Sequence, residues 1–270
     1  MSITFIGGGN MASAIIGGLI QQGHAASELR VVEIDGSARA RLVQTYAVAT
    51  FERIDAAAVA AESIVLATKP QNLREVATAL RPLIKQQLVI SIAAGIRGGD
   101  LARWLGGYAR IVRAMPNTPA LVGAACTGLY ALPGASSGDA ARAQAILGAV
   151  GTTLMVEREE QLDAITAVSG SGPAYVFYFI EALQQAALEL GLKPADARRL
   201  ALGTFAGAIK LAAESAEDVA TLRARVTSKG GTTAAALASM QSAAIKEAIV
   251  RAVKAADARS RELGDEFGKD

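Results

Sequence analysis

The chain has 270 residues, 51% of them hydrophobic, so it can bury a large core as one long domain or as two smaller ones. Its 27 basic and 25 acidic residues give a formal net charge of +2, and no basic run is interleaved with aromatic residues. This balance argues against nucleic acid or a membrane surface as a partner.

The chain contains one cysteine, Cys126, and one histidine, His24. One of each cannot build an intramolecular disulfide or a zinc cluster of cysteine and histidine, and we expect no bound metal. A Ser-His-Asp triad would need His24, which lies near the end of the first predicted helix, where histidines often have no chemical role. If the chain is an enzyme, we expect a cofactor to supply the difficult chemistry.

The N-terminal region resembles a signal peptide in having no charged residue before Glu28, but it lacks a basic start and glycines interrupt its apolar stretch. A second uncharged stretch, residues 114–138, contains Pro116, Pro119 and Pro133, which disfavour a membrane span. We therefore expect a soluble, cytoplasmic protein.

Short β-branched runs alternate with helical stretches over the first 160 residues. Predicted strands cover residues 3–6, 30–34, 63–67, 88–92, 110–114, 126–131 and 152–156, and predicted helices lie near 11–22, 37–46, 55–62, 72–80, 100–105 and 138–150. This alternation predicts a parallel sheet with helices on both faces. A loop rich in proline and glycine, without a helix, joins strands 110–114 and 126–131, so this pair is predicted to run antiparallel at one edge.

The character of the sequence changes at about residue 160. From Leu162 onward we predict no strand, and helices lie near 173–190, 195–214, 217–226, 232–240 and 243–263. Gly191 ends the first long helix and Pro194 begins the next. Helices this rich in alanine expose long apolar stripes, which we expect to be buried against a second copy of the chain; a bundle closed on itself is the alternative.

The first predicted strand ends in Ile6-Gly-Gly-Gly-Asn-Met-Ala12, the Gly-x-Gly-x-x-Ala form of a dinucleotide-binding turn. Gly7 permits the tight turn, Gly9 lets a pyrophosphate approach the backbone, and Ala12 lets the helix pack closely on the strand. The amides near Asn10 and Met11 begin a helix whose positive end favours an anion. A plain connection between strand and helix is the alternative. The predicted coenzyme-binding residues are Ile6, Gly7, Gly8, Gly9, Asn10, Met11 and Ala12.

The end of the second predicted strand gives a further coenzyme signal. An acidic residue about 20 positions past the glycines commonly holds the adenosine ribose hydroxyls, and Glu33 lies in that place. A carboxylate there would repel a 2′-phosphate and favour NADH, whereas Arg39 or Arg41 on the next helix could accept NADPH. Both coenzymes therefore stay open, and a surface acid in a turn is the alternative for Glu33.

Three more loops follow predicted strands at the edge where ligands of open α/β sheets bind. Lys69 can supply a cation near phosphate or nicotinamide, small residues after the strand at 88–92 let a flat ring lie close, and Asn117 offers a donor and an acceptor. A structural proline turn is the alternative for the loop of Asn117. The predicted coenzyme-binding residues here are Ala67, Thr68, Lys69, Pro70, Ala93, Ala94, Gly95 and Asn117.

Two polar, glycine-containing loops precede helices in the second half. Ser169-Gly-Ser-Gly-Pro173 lacks the glycine that a nucleophile elbow needs at Ser169, so helix capping is the favoured role. The segment Val226-Thr-Ser-Lys-Gly-Gly-Thr-Thr233 exposes consecutive backbone amides that suit a carboxylate. Thr232 and Thr233 add hydroxyls that can reach a reacting nitrogen, although an ordinary capped turn remains the alternative.

In chain order these motifs read Phe5-Ile-Gly-Gly-Gly-Asn-Met-Ala, Ala67-Thr-Lys-Pro-Gln, Ser91-Ile-Ala-Ala-Gly-Ile, Met115-Pro-Asn-Thr-Pro, Ser169-Gly-Ser-Gly-Pro-Ala-Tyr and Thr227-Ser-Lys-Gly-Gly-Thr-Thr. The ordered set resembles the pyrroline-5-carboxylate reductase family along nearly the whole chain. The resemblance implies an α/β protein with an N-terminal Rossmann-type dinucleotide-binding domain (residues 1–160) and an all-α C-terminal dimerisation and substrate domain (residues 161–270). It further implies a homodimer through the C-terminal helices, an active site completed across that dimer, and assembly of dimers into a ring.

The family reaction is the reduction of 1-pyrroline-5-carboxylate to L-proline by NADPH or NADH, the last step of proline biosynthesis. By similarity, the residues from Gly230 to Thr233 would supply amides to the substrate carboxylate, and Thr233 would hydrogen-bond the ring nitrogen as the catalytic residue. The implied substrate-binding set is Ser228, Gly230, Gly231, Thr232 and Thr233.

The chain departs from the family pattern at two places. Lys229 stands where the family often has proline, and Glu33-Ile34 stands where many members have Asn-Arg or a turn rich in serine and threonine. A β-hydroxyacid dehydrogenase is an alternative, but the helix from Ala174 to Leu192 lacks the lysine that those enzymes use. A coenzyme-binding regulator without a substrate site is another, against which the Gly-Gly-Thr-Thr segment argues.

Overall fold

The computed structural model describes residues 1–269 and divides into two compact units. One comprises Met1–Ser171 together with the chain from Ala256 onward, and the other comprises Gly172–Ala255. The first unit is α/β and the second is helical throughout. The predicted fold class is therefore confirmed.

In the described part of the chain, the centre of the first unit is an eight-stranded sheet in the order β3-β2-β1-β4-β5-β6-β7-β8. Strands β1 to β6 are parallel, β7 is antiparallel to β6, and β8 is parallel to β7. Parallel strands place their carboxyl ends at one edge, where the candidate site lies. The strands are β1 (Ile3–Ile6), β2 (Leu29–Val32), β3 (Ala49–Phe51), β4 (Ser63–Leu66), β5 (Leu88–Ser91), β6 (Ile111–Met115), β7 (Ala125–Ala131) and β8 (Gly151–Met155).

Helices cover both faces of this sheet, because the residues of the central strands are apolar on both sides. Every residue of β1, β4 and β5 is buried. Phe5 belongs to the core on one face and Leu66 to the core on the other. The helices of this unit are α1 (Asn10–Gln21), α2 (Gly36–Tyr46), α3 (Leu73–Leu80), α4 (Gly98–Trp104), α5 (Ser137–Gly148) and α6 (Gln161–Ile165), which continues as a π-helical turn, Thr166–Gly170.

The second unit contains α7 (Gly172–Glu189), α8 (Pro194–Glu214), α9 (Val219–Arg225), α10 (Thr232–Ser242) and the first part of α11 (Ile245–Phe267). Among the helices α7 to α10, Ile180, Ala197 and Ala201 are the buried residues. Large apolar side chains remain exposed, such as Tyr178 (72%) in α7 and Ile209 (58%) in α8. The predicted apolar stripes are therefore present on these helices.

The predicted helix at residues 55–62 is wrong. The Asp55 carboxylate accepts the Ala58 amide (2.9 Å), but the Ala58 carbonyl accepts the Thr4 hydroxyl of β1 (2.7 Å). Residues 55–62 therefore form only hydrogen-bonded turns. The chain has to be extended by the end of this segment, because the Glu62 and Ser63 amides donate to the Ser2 carbonyl and β4 begins at Ser63. Short β3 and the α6–π segment were also not predicted. The antiparallel pairing of β6 and β7 is confirmed, but β8 rather than β7 forms the edge.

The compact units divide the chain differently from the predicted domains 1–160 and 161–270, which remain a prediction. The segment that follows residue 160 packs within the first unit, where Leu162 and Ala167 are buried. The end of α11 also packs there, since Ser260 donates to the Asp163 carboxylate (2.7 Å) and Arg97 pairs with Asp265 (2.6 Å). Such long-range packing is not visible in local sequence patterns.

Candidate functional site

A cleft of about 680 Å³ opens at the carboxyl edge of β1, β2 and β4. A second cavity of about 480 Å³ lies on the other side of the glycine turn, and Gly9 and Glu33 line both. The structure thus brings together residues predicted from three separate strand ends. These residues are Ile6, Gly7, Gly9, Glu33, Ala67, Thr68 and Lys69 in the cleft, with Gly8 and Asn10 in the second cavity.

The glycine turn is held by backbone bonds to two neighbouring strands. The Gly7 amide donates to the Val32 carbonyl (2.8 Å) and the Ala67 amide donates to the Ile6 carbonyl (2.8 Å). Gly7 has φ +98°, and a Cβ there would lie 2.7 Å from the Ala67 carbonyl oxygen. At Gly9, by contrast, a Cβ would meet nothing within 4 Å. Gly7 is therefore required by the backbone, whereas Gly9 leaves an open face toward the cleft.

This open face presents unpaired hydrogen-bond donors. Within residues 1–269, the amides of Gly9, Asn10 and Met11 have no acceptor, and no side chain caps the N-terminus of α1. The Thr68 hydroxyl lines the same cleft and is buried without a partner among the described residues. Unpaired amides at a helix N-terminus together with a buried orphan hydroxyl fit the pyrophosphate and hydroxyl groups of a dinucleotide.

Glu33 follows β2 and is fixed against the glycine turn. Its Oε2 accepts the Gly8 amide (2.9 Å) and its Oε1 accepts the Asp35 amide (2.9 Å). Arg39 donates to the Glu33 and Ile34 carbonyls (2.7 and 2.9 Å). Asp35 caps α2, and hydrogen bonds from the Ser37 hydroxyl and the Ala38 amide lower the pKa of the Asp35 carboxyl. Carboxylates thus surround the glycine turn, because Glu33 lines both cavities and Asp35 lines the second one.

The remaining predicted coenzyme residues do not line these two cavities. Met11 and buried Ala12 lie in the first turn of α1, and Pro70 begins a 3₁₀ turn after Lys69. Gly95, with φ +72°, would bring a Cβ within 3.2 Å of Leu263 in α11. The need for glycine at position 95 is therefore explained by packing, and coenzyme contacts of Ala93, Ala94 and Gly95 remain predictions.

Asn117 lies after β6 and connects three parts of the first unit. Its Nδ2 donates to the Ser169 carbonyl (2.9 Å) and its Oδ1 accepts the Cys126 amide (3.0 Å). Only 7% of the residue is exposed. The structure gives Asn117 a structural role in holding the π turn to β7, while a contact with coenzyme stays a prediction. A buried amide spanning two distant segments leaves no local sequence signal.

The predicted substrate residues lie in the second compact unit, where the loop between α9 and α10 forms a tight turn. The Gly231 amide donates to the Ser228 carbonyl (3.0 Å), and Gly230 has φ +73°, as the third residue of such a turn requires. Gly231 is the N-cap of α10. In the described chain the amides of Thr232 and Thr233 have no acceptor. This uncapped N-terminus, with two threonine hydroxyls beside it, suits a carboxylate.

Several other groups are accounted for structurally. His24 lies 3.4 Å from Glu28, and Cys126 is exposed. Among residues 1–269, no cluster of three or more histidine, cysteine, aspartate or glutamate side chains could hold a metal ion. None of the described helices is both long enough and apolar enough for a bilayer span. Two residues that line the cleft, Glu52 and Arg53, were not singled out from the sequence because they follow the unpredicted β3.

Comparison with known proteins identifies the family. The model described as pyrroline-5-carboxylate reductase dimerisation matches residues 159–263, and one described as NADP oxidoreductase, coenzyme F420-dependent, matches residues 2–95. The pyrroline-5-carboxylate reductase of Pseudomonas aeruginosa is 43% identical over 268 residues, which cover 99% of this chain and 98% of the relative. The chain belongs to the pyrroline-5-carboxylate reductase family.

Solved structures of pyrroline-5-carboxylate reductases agree with this assignment. The Coxiella burnetii reductase superposes with a TM-score of 0.92 at 40% identity, covering 97% of this chain and 98% of the other. The Plasmodium falciparum reductase, solved with NADP bound, gives a TM-score of 0.87 at 28% identity, with 98% of each chain covered. The resemblance inferred from the ordered motifs is therefore confirmed. The dimerisation match spans the helices with exposed apolar faces, which supports self-association of this reductase family member.

Proposed function

We propose that this chain reduces 1-pyrroline-5-carboxylate to L-proline with NADPH or NADH, the last step of proline biosynthesis. The observation that carries the proposal is the open glycine turn, with its unpaired amides, in a chain 43% identical along its whole length to a named reductase. A nicotinamide coenzyme, when bound, supplies hydride to the C=N carbon. The protein then has to bind, orient and shield the reactants.

The coenzyme is proposed to lie in the cleft of the first unit. The turn residues Ile6, Gly7, Gly8, Gly9, Asn10, Met11 and Ala12 would hold its pyrophosphate, with Glu33 at the adenosine ribose. Unpaired amides and the orphan Thr68 hydroxyl support this part of the proposal. The remaining proposed contacts are Ala67, Lys69, Pro70, Ala93, Ala94, Gly95 and Asn117.

The substrate carboxylate is proposed to bind the N-terminus of α10, through Ser228, Gly230, Gly231, Thr232 and Thr233. The unpaired amides of this turn support the assignment, since they favour an anion. The Thr233 hydroxyl would hydrogen-bond the ring nitrogen. A cyclic imine is readily protonated, so the reaction needs no dedicated histidine acid, and the chain's only histidine, His24, lines neither of the two cavities.

The test is turnover of 1-pyrroline-5-carboxylate, followed by coenzyme absorbance, in the wild type and in Thr233→Ala. We expect the variant to lose about 10- to 1000-fold in kcat/KM, which corresponds to one or two transition-state hydrogen bonds. Ser239→Ala, which removes an exposed hydroxyl from the same helix, serves as the matched control and should keep the wild-type rate. An unchanged rate in Thr233→Ala would remove Thr233 from the mechanism, and absence of turnover in the wild type would refute the function.

We further propose a homodimer through the C-terminal helices, with dimers able to assemble into a ring, and a cytoplasmic location. The exposed apolar faces of α7 and α8 and the dimerisation match support the dimer. Light scattering coupled to size-exclusion chromatography would measure the assembly. Replacement of Tyr178 by aspartate is expected to shift the species toward monomer, because a buried charge in an apolar contact is costly. Cell fractionation tests the location.

A further inference from the structure

The environment of Glu33 bears on which nicotinamide coenzyme the chain accepts. Its carboxylate is fixed at both oxygens, one on the Gly8 amide and the other on the Asp35 amide, each at 2.9 Å. Releasing it would therefore break two charge-assisted hydrogen bonds. Glu33 thus stays at the turn as a fixed negative charge.

Two arginines of α2, Arg39 and Arg41, make hydrogen bonds near Glu33. Arg39 uses one guanidinium nitrogen on the Glu33 and Ile34 carbonyls and places the other 3.8 Å from the Glu52 carboxylate. Arg41 donates to the Ser37 hydroxyl (3.2 Å). Arg39 therefore stabilises the β2–α2 connection and offers no uncommitted fork for a phosphate, whereas Arg41 makes a single hydrogen bond through one guanidinium nitrogen.

The rest of this connection also disfavours a phosphate group. Ile34, directly after Glu33, is 81% exposed and offers an apolar side chain where a phosphate-binding residue would be needed. Asp35 adds a second carboxylate, which lines the second cavity beside the glycine turn. A 2′-phosphate ester carries close to two negative charges near neutral pH, so it would meet fixed charge of the same sign.

We propose that Glu33 makes this chain an NADH-preferring member of its family, by accepting the adenosine ribose hydroxyls and repelling the 2′-phosphate of NADPH. The inference rests on the proposed function only where kcat/KM is measured. The Kd values of NAD⁺ and NADP⁺ test it without turnover. Like charges at close range in a partly exposed site predict a preference of about 10- to 100-fold.

The experiment compares kcat/KM for NADH and NADPH, and the Kd of NAD⁺ and NADP⁺ by calorimetry, in the full-length protein. Glu33→Gln is expected to lower the NADH preference by about tenfold or more, and Glu33→Asp, which keeps the charge, to retain it. Glu62→Gln is the matched control, because Glu62 precedes β4 at the opposite edge of the sheet and pairs with Arg142 (3.6 Å). Thermal unfolding of each variant verifies that the turn remains folded.

The outcomes separate the inference from the proposed function. Tighter binding of NAD⁺ without any turnover would refute the reductase function and support the role of Glu33. A wild type that binds NADP⁺ as tightly as NAD⁺ or more tightly would overturn the inference, as would a coenzyme ratio that Glu33→Gln leaves unchanged. Loss of NADPH use in Arg53→Ala, in a wild type that prefers NADPH, would assign the choice to Arg53 instead.

Discussion

Gly7 and Gly9 lie two residues apart in one turn, yet alanine at each is expected to fail for a different reason. At Gly7 the backbone has φ +98°, and a Cβ would lie 2.7 Å from the Ala67 carbonyl oxygen. At Gly9 the backbone has φ −71°, and a Cβ would meet no atom within 4 Å. Gly7→Ala should therefore damage the fold, whereas Gly9→Ala should damage only coenzyme binding.

The cost at Gly7 follows from these contacts. A side chain at positive φ costs about 1–2 kcal/mol. Relief of the clash requires the turn to move away from β4, which weakens the Gly7–Val32 and Ala67–Ile6 backbone bonds at about 1 kcal/mol each. A loss of about 3–4 kcal/mol lowers the unfolding midpoint of a unit this size by about 6–16 °C.

The cost at Gly9 is close to zero for stability. Alanine is a poorer N-cap than glycine, but it also restricts the unfolded chain, and these effects of about 1 kcal/mol oppose each other. Its methyl group, however, stands on the open face where a pyrophosphate has to approach the backbone. We expect the coenzyme Kd to rise about tenfold or more.

Thermal unfolding by circular dichroism and calorimetric titration with NAD⁺ and NADP⁺ measure the two effects separately. Gly99→Ala in α4, where a Cβ also meets nothing within 4 Å, is the matched control and should keep the coenzyme Kd and unfold no earlier than the wild type. The reasoning is refuted if Gly9→Ala unfolds as early as Gly7→Ala, or if it binds coenzyme with wild-type affinity.

Three further changes test other parts of the structure. Asn117→Ala should lower the free energy of unfolding by about 1–3 kcal/mol in urea titrations, because it leaves two partly buried backbone groups without partners. Asp139 is paired with Arg110 (2.7 Å), which holds the pKa of its carboxyl well below 3.8. Asp139→Asn should therefore cost stability at neutral pH, and this cost should disappear as the pH falls through the lowered pKa. Lys229→Pro should raise stability by about 0.4–1 kcal/mol and lower KM for the imine, because proline suits the position before Gly230 in this turn.

Each of these changes has a comparison that isolates its cause. Asn72→Ala removes an exposed amide and should be neutral in urea. A pH-independent difference between the wild type and Asp139→Asn would contradict the charge pairing. A higher KM in Lys229→Pro would show that the turn between Ser228 and Gly231 does not bind substrate in this form. Lower stability would contradict the turn geometry itself.

The sequence predicted best what local patterns encode. The glycine turn, seven strands and the long C-terminal helices follow from residue spacing and from glycine and proline at element ends. Glu33 could be placed beside the glycine turn because strand ends in a parallel sheet share one edge. The fixed geometry of the Glu33 carboxylate could not be predicted, because it depends on a hydrogen bond from the amide of Gly8, 25 residues away.

The wrong helix, and the structural roles of Asn117 and Gly95 that the sequence did not reveal, arise where distant residues decide the outcome. Residues 55–62 have helical composition, but a hydroxyl from β1 takes the Ala58 carbonyl. The sequence indicates a coenzyme-binding role for Asn117, but in the structure its side chain makes hydrogen bonds with the backbone of Ser169 and Cys126. A small residue is needed at Gly95 because a Cβ there would lie 3.2 Å from Leu263 at the end of α11, more than 160 positions later. Helix propensity and motif spacing contain none of this information.

The second unit has few buried residues; among α7–α10 they are Ile180, Ala197 and Ala201. Its folding is therefore coupled to protein concentration. So small an interior cannot offset the conformational entropy of a chain this long. Self-association must then provide the missing burial, so assembly and folding of these helices form one equilibrium. Dilution acts on the second unit as a mild denaturant, while the sheet-containing unit retains its own core.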